Sequence, residues 1–182
     1  MHLILSSAFA GVVLFALAGF SSRAANALQA QELLLTSVRT GDTEIFVVNP
    51  ITGDARNLSR SPDSEDRYPC WSPDAGQVAF TSDRNHSTNL YVMNADGSHL
   101  RALTETTAVC YMPSWSGDWI VFGMHGAKPE MAAIHPDGTG LTMLDEGHDP
   151  CISPDGKVIA YTGHVDGGVT VFTMNTDGSG KR

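Results

Sequence analysis

The sequence predicts an all-β protein, a β-propeller built from four-stranded antiparallel blades, and three repeated features indicate this fold. An element of the form Trp/Ile-Ser-x-Asp occurs three times, at Trp71, Trp115 and Ile152. An Asp-Gly turn follows each copy, and its glycines are spaced by 41 and 40 residues, at Gly97, Gly138 and Gly178. Two β-rich runs lie between each element and its turn. A period of about 40 to 45 residues with four short strands is typical of propeller blades, which must stack because one blade cannot bury its own faces.

Each repeat divides into four strands, which we name A to D from the inside of the propeller outward. Strand A carries the Trp/Ile-Ser element and is expected over residues 68–72, 112–116 and 150–153. The Pro-Asp-x-Gly sequence that follows favours a tight A–B turn, since proline presets φ and glycine accepts a positive φ. Strands B and C are almost continuously apolar, which is typical of a sheet covered on both faces. Trp71 and Trp115 are therefore expected to pack between blades.

The repeats define about four blades, two complete and two partial. The partial blade 32–60 provides strands B to D, and the partial blade 150–182 provides strands A to C. The complete blades occupy residues 68–104 and 112–144. Because a closed ring needs at least about four blades, we expect a partial or open propeller. It would be either a piece of a larger propeller or a chain that self-associates through its open blade edges.

The N-terminal segment has the layout of a secretory signal. Residues 3–20 are almost wholly apolar, and a small-x-small sequence ends at Ala27. We predict a signal peptide over residues 1–27, followed by propeller repeats over residues 28–182, with periplasmic or secreted localisation. The alternative is an uncleaved anchor, since about 18 apolar residues can just span a bilayer. Contact with a membrane is expected only in that case.

The charge of the chain excludes one class of partner. After residue 27 the sequence has 10 basic and 20 acidic residues, a net charge of −10. An acidic exported domain is a poor ligand for nucleic acid or for anionic lipid, so no nucleic-acid partner is expected. Several of the acids belong to the Asp-Gly turns, and we do not interpret them as a cation site.

Three cysteines are an odd number for an exported chain. Cys70 and Cys151 occupy the same repeat position two blades apart, which is too far for a disulfide. Cys110 lies between them and could approach either one. The simpler expectation is that all three are small buried apolar residues near the propeller axis.

The second blade resembles the WD40-like (PD40) repeat of the TolB propeller family. The resemblance is carried by Trp-Ser-Pro-Asp-x-Gly, residues 78–84, residues 90–98 and Leu103-Thr104, and it covers about residues 32–182. It implies a periplasmic envelope protein, although the α/β domain that precedes the TolB propeller is not expected here. Similar repeats cap prolyl-oligopeptidase-type hydrolases and form oligogalacturonate lyases. A hydrolase domain is not expected, because the sequence has no Gly-x-Ser-x-Gly element.

One face of the propeller carries the chemically varied residues. Because strand direction alternates, the B–C loops and the D–A linkers share this face, which we call the B–C face. Eight residues there form a candidate partner-binding surface: Arg67, Tyr68, Asp83, Arg84, His125, His148, Asp149 and His164. His125 and His164 occupy the repeat position of Asp83. We expect Arg84 mainly to form a local ion pair with Asp83 that closes its loop.

Two functions follow from this surface. The first is a non-enzymatic exported scaffold that binds a protein or an envelope polymer, with no cofactor and no catalytic residue. The alternative is a remnant of a metal-dependent polysaccharide lyase of the oligogalacturonate type. For that alternative, His125, His148 and His164 are weak candidates for metal ligands, since imidazoles suit a transition metal. No short spacing such as His-x-His supports them, so no metal site is predicted.

Overall fold

The computed structural model describes residues 32–182, which form fourteen strands in four antiparallel sheets, here named blades 1 to 4. Blade 1 consists of β1 (Leu33–Ser37), β2 (Glu44–Val48) and β3 (Ala55–Asn57). Blade 2 consists of β4 (Asp66–Trp71), β5 (Gln77–Ser82), β6 (Asn89–Asn94) and β7 (Arg101–Ala102). Blade 3 consists of β8 (Val109–Ser116), β9 (Trp119–His125), β10 (Pro129–Ile134) and β11 (Thr142–Glu146). Blade 4 consists of β12 (His148–Ile152), β13 (Val158–Val165) and β14 (Gly168–Asn175).

Each blade is an antiparallel meander whose strands pair in chain order, so the predicted fold class is confirmed. The inner strands of successive blades pack against one another: β1 contacts β4, β4 contacts β8, and β8 contacts β12. Residues 32–182 contain no helix that is both long enough and apolar enough to cross a membrane. The predicted signal peptide, residues 1–27, lies outside the described residues.

The inner strands of blades 2, 3 and 4 carry a bulge that the sequence analysis did not predict. In blade 2 the register against β5 shifts between Arg67 and Cys70, and Tyr68 has a φ of 54°. Equivalent shifts in blades 3 and 4 place Met112 and Asp149 at φ values of 47° and 54°. Each of these three residues directly precedes a proline. The same strained conformation therefore recurs at one position of the repeat.

The bulge also explains why the predicted start of strand A was wrong. We expected this strand to begin at residues 68, 112 and 150. In the structure it begins earlier, at Asp66, Val109 and His148. A bulge interrupts the two-residue alternation of a strand. The residues N-terminal to the bulge therefore pair with strand B again, although the alternation in the sequence is already interrupted at the bulge.

Apolar clusters between adjacent blades form the core. Between blades 1 and 2 the buried residues are Ile45, Val47, Leu58, Val78, Phe80, Tyr91 and Met93. Between blades 2 and 3 they are Ala79, Leu90, Val92, Leu103, Cys110, Ile120, Phe122, Ala132 and Ile134. Between blades 3 and 4 they are Val121, Met131, Ala133, Ile152, Ile159, Tyr161 and Met174. Trp71 and Trp115 pack against the first two clusters, as expected, although both are only half-buried.

The Asp-Gly turns lie against the preceding blade, which explains the repeated glycine. Gly97 has a φ of 87°, and a Cβ added there would lie 2.9 Å from the carbonyl oxygen of Leu58 in blade 1. Gly138 has a φ of 92° and lies against the Leu103 side chain of blade 2. The turn of blade 4 lies against Leu144 in the same way. Glycine is favoured here because it adopts a positive φ without strain and leaves room for the neighbouring blade.

A second contact that repeats between blades is made by an arginine of strand D. Arg56 of blade 1 donates from Nη2 to the Ala95 carbonyl of blade 2 at 3.3 Å. Arg101 of blade 2 donates in the same way to the Pro136 carbonyl of blade 3. Arg182 lies at the equivalent position of blade 4, where it exchanges two backbone hydrogen bonds with β14. Blades 1 to 3 are thus held together by polar contacts at their outer edge as well as by apolar packing.

The cysteines have three different environments, and all three are free thiols. Cys110 is fully buried, as expected. Cys70 is half-buried, and desolvation raises the pKa of its thiol to about 12. Cys151 is exposed, so the expectation of burial was wrong for this residue. The difference arises because a following blade covers the position of Cys70, whereas Cys151 lies on the outer surface of blade 4.

Candidate functional site

The three bulged inner strands present a row of equivalent side chains on the B–C face. We call Arg67, Tyr111 and His148 the inner row. Each of them immediately precedes the positive-φ residue of its bulge. Each also pairs with strand B at the same register, opposite Thr81, Gly123 and Thr162 respectively. Bulges commonly re-aim side chains next to functional sites, and here one bulge per blade places one side chain of the row.

Two members of the inner row line a pocket between blades 2 and 3. The pocket has a volume of about 330 Å³, and its wall includes Arg67, Tyr68, Tyr111 and His125. Arg67 pairs with Glu65 at 3.0 Å, but about half of its side chain remains exposed, 51%. An exposed ion pair of this kind is weak. The guanidinium can therefore exchange this partner for a group on a ligand.

The third member of the row lines a second pocket, between blades 3 and 4. This pocket has a volume of about 450 Å³, and its wall includes His148, His164 and Tyr161. The imidazole rings of His148 and His164 meet edge to face, with centroids 5.9 Å apart. The Asp145 carboxylate also lines it and accepts a hydrogen bond from the Tyr161 hydroxyl at 3.4 Å.

Tyr111 connects the two pockets. Its hydroxyl lies 3.3 Å from Nδ1 of His148, within hydrogen-bonding distance. Its ring lies over Gly123 on the neighbouring strand, where an added Cβ would come within 2.3 Å of Tyr111 Cζ. Burial raises the pKa of the Tyr111 phenol, and the nearby Asp149 carboxylate raises it further. The phenol therefore stays protonated at neutral pH and can donate a hydrogen bond.

Asp83 and Arg84 do not form the predicted local ion pair. Asp83 instead accepts the backbone N–H of Glu65 at 2.8 Å. Arg84 Nη2 contacts both carboxylate oxygens of Asp66, at 2.9 and 3.0 Å. Asp66 is completely buried, so its carboxylate has no access to water, and the Arg84 guanidinium turns inward to pair with it. Arg84 also lies over the ring of Tyr91, 5.0 Å from its centroid.

The structure therefore divides the predicted surface into two parts. Five of its residues line the two pockets: Arg67, Tyr68, His125, His148 and His164. A sixth, Asp149, is exposed at the bulge of blade 4. Asp83 and Arg84 instead hold the inner strand of blade 2 in place.

The three histidines are not brought together into one ligand set. His148 and His164 are neighbours, whereas His125 lines the other pocket. Within residues 32–182 the structure contains no group of three or more His, Cys, Asp or Glu side chains placed to hold a metal ion.

Tyr111 is the member of this face that the sequence analysis missed. We selected Tyr68 together with histidines and charged residues of the B–C loops and linkers, whereas Tyr111 lies one residue before the expected start of strand A in blade 3. A usable signal was nevertheless present, because the residue two positions before the strand-A proline is Arg67, Tyr111 or His148 in the three repeats. Alignment of the repeats on that proline would have identified the row.

Comparison with known proteins agrees with the architecture. The family model described as the TolB beta propeller domain, PD40, matches residues 14–182. A curated relative, the Tol-Pal system protein TolB of Anaeromyxobacter dehalogenans (strain 2CP-C), is 35% identical over 85 residues, which is 47% of this chain and 19% of the relative. The chain thus spans about a fifth of the length of the curated relatives that it matches.

Solved structures show the same fold at low sequence identity. TolB from Acinetobacter baumannii superposes with a TM-score of 0.72 at 18% identity, covering 84% of this chain and 40% of that one. An oligogalacturonate lyase in complex with manganese superposes with a TM-score of 0.66 at 17% identity, covering 84% of this chain and 49% of that one. At such identities the similarity shows the propeller fold alone.

Proposed function

We propose that this chain, which belongs to the TolB β-propeller family, is an exported scaffold that binds a protein through its B–C face. The observation that carries the proposal is the inner row, in which Arg67, Tyr111 and His148 project at one register from three successive blades. Tyrosine and arginine are enriched among the residues that dominate binding energy at protein interfaces. The two open pockets beside the row are suited to side chains of a partner.

The proposed partner is a protein rather than an envelope polymer. The curated relatives are named for the Tol-Pal system, so the Pal protein of the same cell is the first partner to test. We further propose that residues 1–27 are removed on export, as the apolar segment and the small residues before Ala27 suggest. The N-terminal sequence of the protein recovered from the periplasm or the medium tests this step.

Substitutions on the B–C face test the binding proposal. Arg67→Ala and Tyr111→Ala should each weaken binding to purified Pal by about tenfold or more, the scale of an interface hot spot. Lys157→Ala is the matched control, since its side chain is 79% exposed and lies on the A–B turn of blade 4, on the opposite face. Kd values from titration calorimetry provide the measurement.

A second probe separates the two classes of partner. Binding of the variants to purified peptidoglycan is measured under the same conditions. Binding to the polymer alone would overturn the choice of a protein partner. Equal binding of all three variants to Pal would overturn the assignment of the B–C face.

A further inference from the structure

The pocket between blades 2 and 3, here called the blade 2–3 pocket, differs in charge from the rest of the chain. Among the residues that the structure describes, its wall contains Arg67 but no aspartate or glutamate. The chain as a whole has 20 acidic and 11 basic residues. The wall of the pocket between blades 3 and 4, by contrast, includes Asp145 and Glu146. The blade 2–3 pocket is therefore the one of the two that favours an anion.

The backbone of Arg67 is fixed, whereas its side chain is held by a single contact. The Arg67 carbonyl accepts a hydrogen bond at 3.2 Å from the hydroxyl of Thr81, which is fully buried. In the described part of the chain, the guanidinium makes one hydrogen bond, from Nη2 to Glu65 at 3.0 Å. A guanidinium carries five N–H donors, so most of them remain available. Arg84, on the same blade, is instead held by both carboxylate oxygens of the buried Asp66.

Glu65 shows which kind of group Arg67 accepts. The Glu65 side chain is 40% exposed in the ion pair, and its backbone N–H is held by Asp83 at 2.8 Å. The Thr43 hydroxyl lowers the pKa of the Glu65 carboxyl most, and Arg67 lowers it further, although partial burial opposes both. Glu65 is therefore ionised at neutral pH and still has Thr43 beside it when Arg67 turns away. Another carboxylate can replace Glu65 without leaving a buried charge unpaired.

Blade 3 supplies a second donor to the same pocket. His125 is the last residue of β9, and it is exposed in the pocket wall. A neutral imidazole carries one N–H donor. Tyr111 adds its ring to the wall, while its hydroxyl lies next to His148. A volume of about 330 Å³ leaves room for one side chain or chain end of a partner, with donors from both Arg67 and His125.

We propose that the blade 2–3 pocket binds a carboxylate of the protein partner, an acidic side chain or a C-terminus, and that Glu65 occupies Arg67 until this ligand displaces it. The inference rests on the proposed function and names the chemical group that the B–C face recognises. Arginine suits this role because its planar fork can pair with both oxygens of a carboxylate. Glu65 is readily displaced because an exposed ion pair is weak.

Short peptides test the pocket on the purified full chain. The probes are acetyl-Ala-Glu-Ala-amide, its glutamine counterpart, and acetyl-Ala-Ala-Ala with a free C-terminus. An NMR titration that follows the His125 imidazole resonances gives the Kd values. At least one carboxylate peptide should bind more tightly than the glutamine peptide, and the identity of that peptide distinguishes an acidic side chain from a C-terminus. If neither did so, the carboxylate pocket would be overturned. Tighter binding of glucuronate or inorganic phosphate than of either peptide would overturn the proposed ligand class.

Variants of the ion pair test the role of each partner. Arg67→Gln should abolish the preference for a carboxylate, and Arg67→Lys, which keeps the charge without the planar fork, should retain only part of it. Glu65→Gln should tighten carboxylate binding by about twofold to fivefold, the change that corresponds to an exposed ion pair. Asp63→Asn is the matched control, since Asp63 is exposed and two residues away, so the same charge is removed outside the ion pair. Equal Kd values for the Glu65→Gln and Asp63→Asn variants would overturn the competition by Glu65.

Titration with Pal separates this inference from the proposed function. Pal should bind more tightly to Glu65→Gln than to the wild-type protein. If Pal binds while the carboxylate and glutamine peptides bind alike, the carboxylate pocket is overturned and the proposed function stands. If the carboxylate peptides bind through Arg67 and Pal does not bind, the pocket is supported and Pal is overturned as the partner.

Discussion

The Tyr111 hydroxyl lies 3.3 Å from Nδ1 of His148, and this contact joins blade 3 to blade 4 on the B–C face. Tyr111 can take this position because the strand opposite it carries Gly123, whose lack of a side chain leaves room for the phenol ring. A glycine in strand B of blade 3 thus supports the link between the two pockets.

The first prediction concerns Gly123. Gly123→Ala should displace the Tyr111 ring and break its contact with His148, since the new Cβ would lie 2.3 Å from Tyr111 Cζ. The His148 imidazole resonances in an NMR spectrum should shift in response. Gly126→Ala is the control, because its Cβ would meet only an ordinary contact at 3.7 Å from Ala108. Identical His148 shifts in the two variants would contradict the supporting role of Gly123.

The second prediction concerns the Arg84–Asp66 pair. Arg84→Ala should lower the free energy of unfolding by about 3–5 kcal/mol, because it leaves the buried Asp66 carboxylate without its cation. Adding Asp66→Asn to that variant should restore part of the loss by removing the buried charge. Urea unfolding monitored by tryptophan fluorescence provides the measurement.

Arg67→Ala serves as its control. Arg67 pairs with Glu65, and the side chains of both are well exposed. Loss of this exposed ion pair should lower the free energy of unfolding by at most about 1 kcal/mol. If Arg84→Ala and Arg67→Ala lowered the free energy of unfolding equally, the Asp66 carboxylate would have to find another partner or become accessible to water.

The third prediction compares two turn glycines. Gly97 and Gly138 have nearly the same φ, 87° and 92°, so alanine at either position should cost about 1–2 kcal/mol of backbone strain. Gly97→Ala should cost more than Gly138→Ala. The reason is that its Cβ would lie 2.9 Å from the Leu58 backbone carbonyl, whereas the Cβ at 138 would only touch the Leu103 side chain at 3.9 Å. Equal melting temperatures of the two variants would show that the Leu58 backbone of blade 1 moves aside without a loss of stability.

The fourth prediction concerns acid stability. Hydrogen bonds from the hydroxyl and the backbone N–H of the residue two positions later lower the pKa of Asp96, Asp137 and Asp177 from the ordinary value of 3.8. In this range the unfolded chain binds more protons than the folded one. The stability that these turns contribute is therefore present above pH 3.8 and is lost as the pH falls through the lower folded-state pKa values.

The melting temperature measured against pH tests this expectation. It should decline below pH 3.8 in the wild-type protein. A variant with all three aspartates replaced by asparagine should show a shallower decline. If the melting temperature of the wild-type protein instead rose on acidification, the lowered carboxyl pKa values would be contradicted.

The fifth prediction concerns metal content. Because His148 and His164 are neighbours and His125 lines the other pocket, we expect the purified protein to hold no stoichiometric transition metal. His148→Ala should leave its metal content unchanged in elemental analysis. One equivalent of metal that is lost in His148→Ala would favour the lyase alternative instead.

The blade repeat could be predicted from the sequence alone. The strand order, the tight turns and the spacing of the turn glycines follow from local chemistry, because proline, aspartate and glycine shape the backbone within four or five residues. The equivalence of His125 and His164 with Asp83 was also readable, since it requires only counting from the repeat. These features depend only on residues that are close together in the sequence, so they can be predicted without the tertiary structure.

Which of the equivalent residues come into contact depends on the stacking of the blades. Tyr111 reaches His148 across 37 residues, and Arg84 reaches Asp66 rather than the adjacent Asp83. Both outcomes follow from the inner strand, whose bulge turns Tyr111 and His148 toward each other and whose burial of Asp66 demands a cation. Burial and cross-blade distance depend on how whole sheets stack, and no local pattern of residues encodes them.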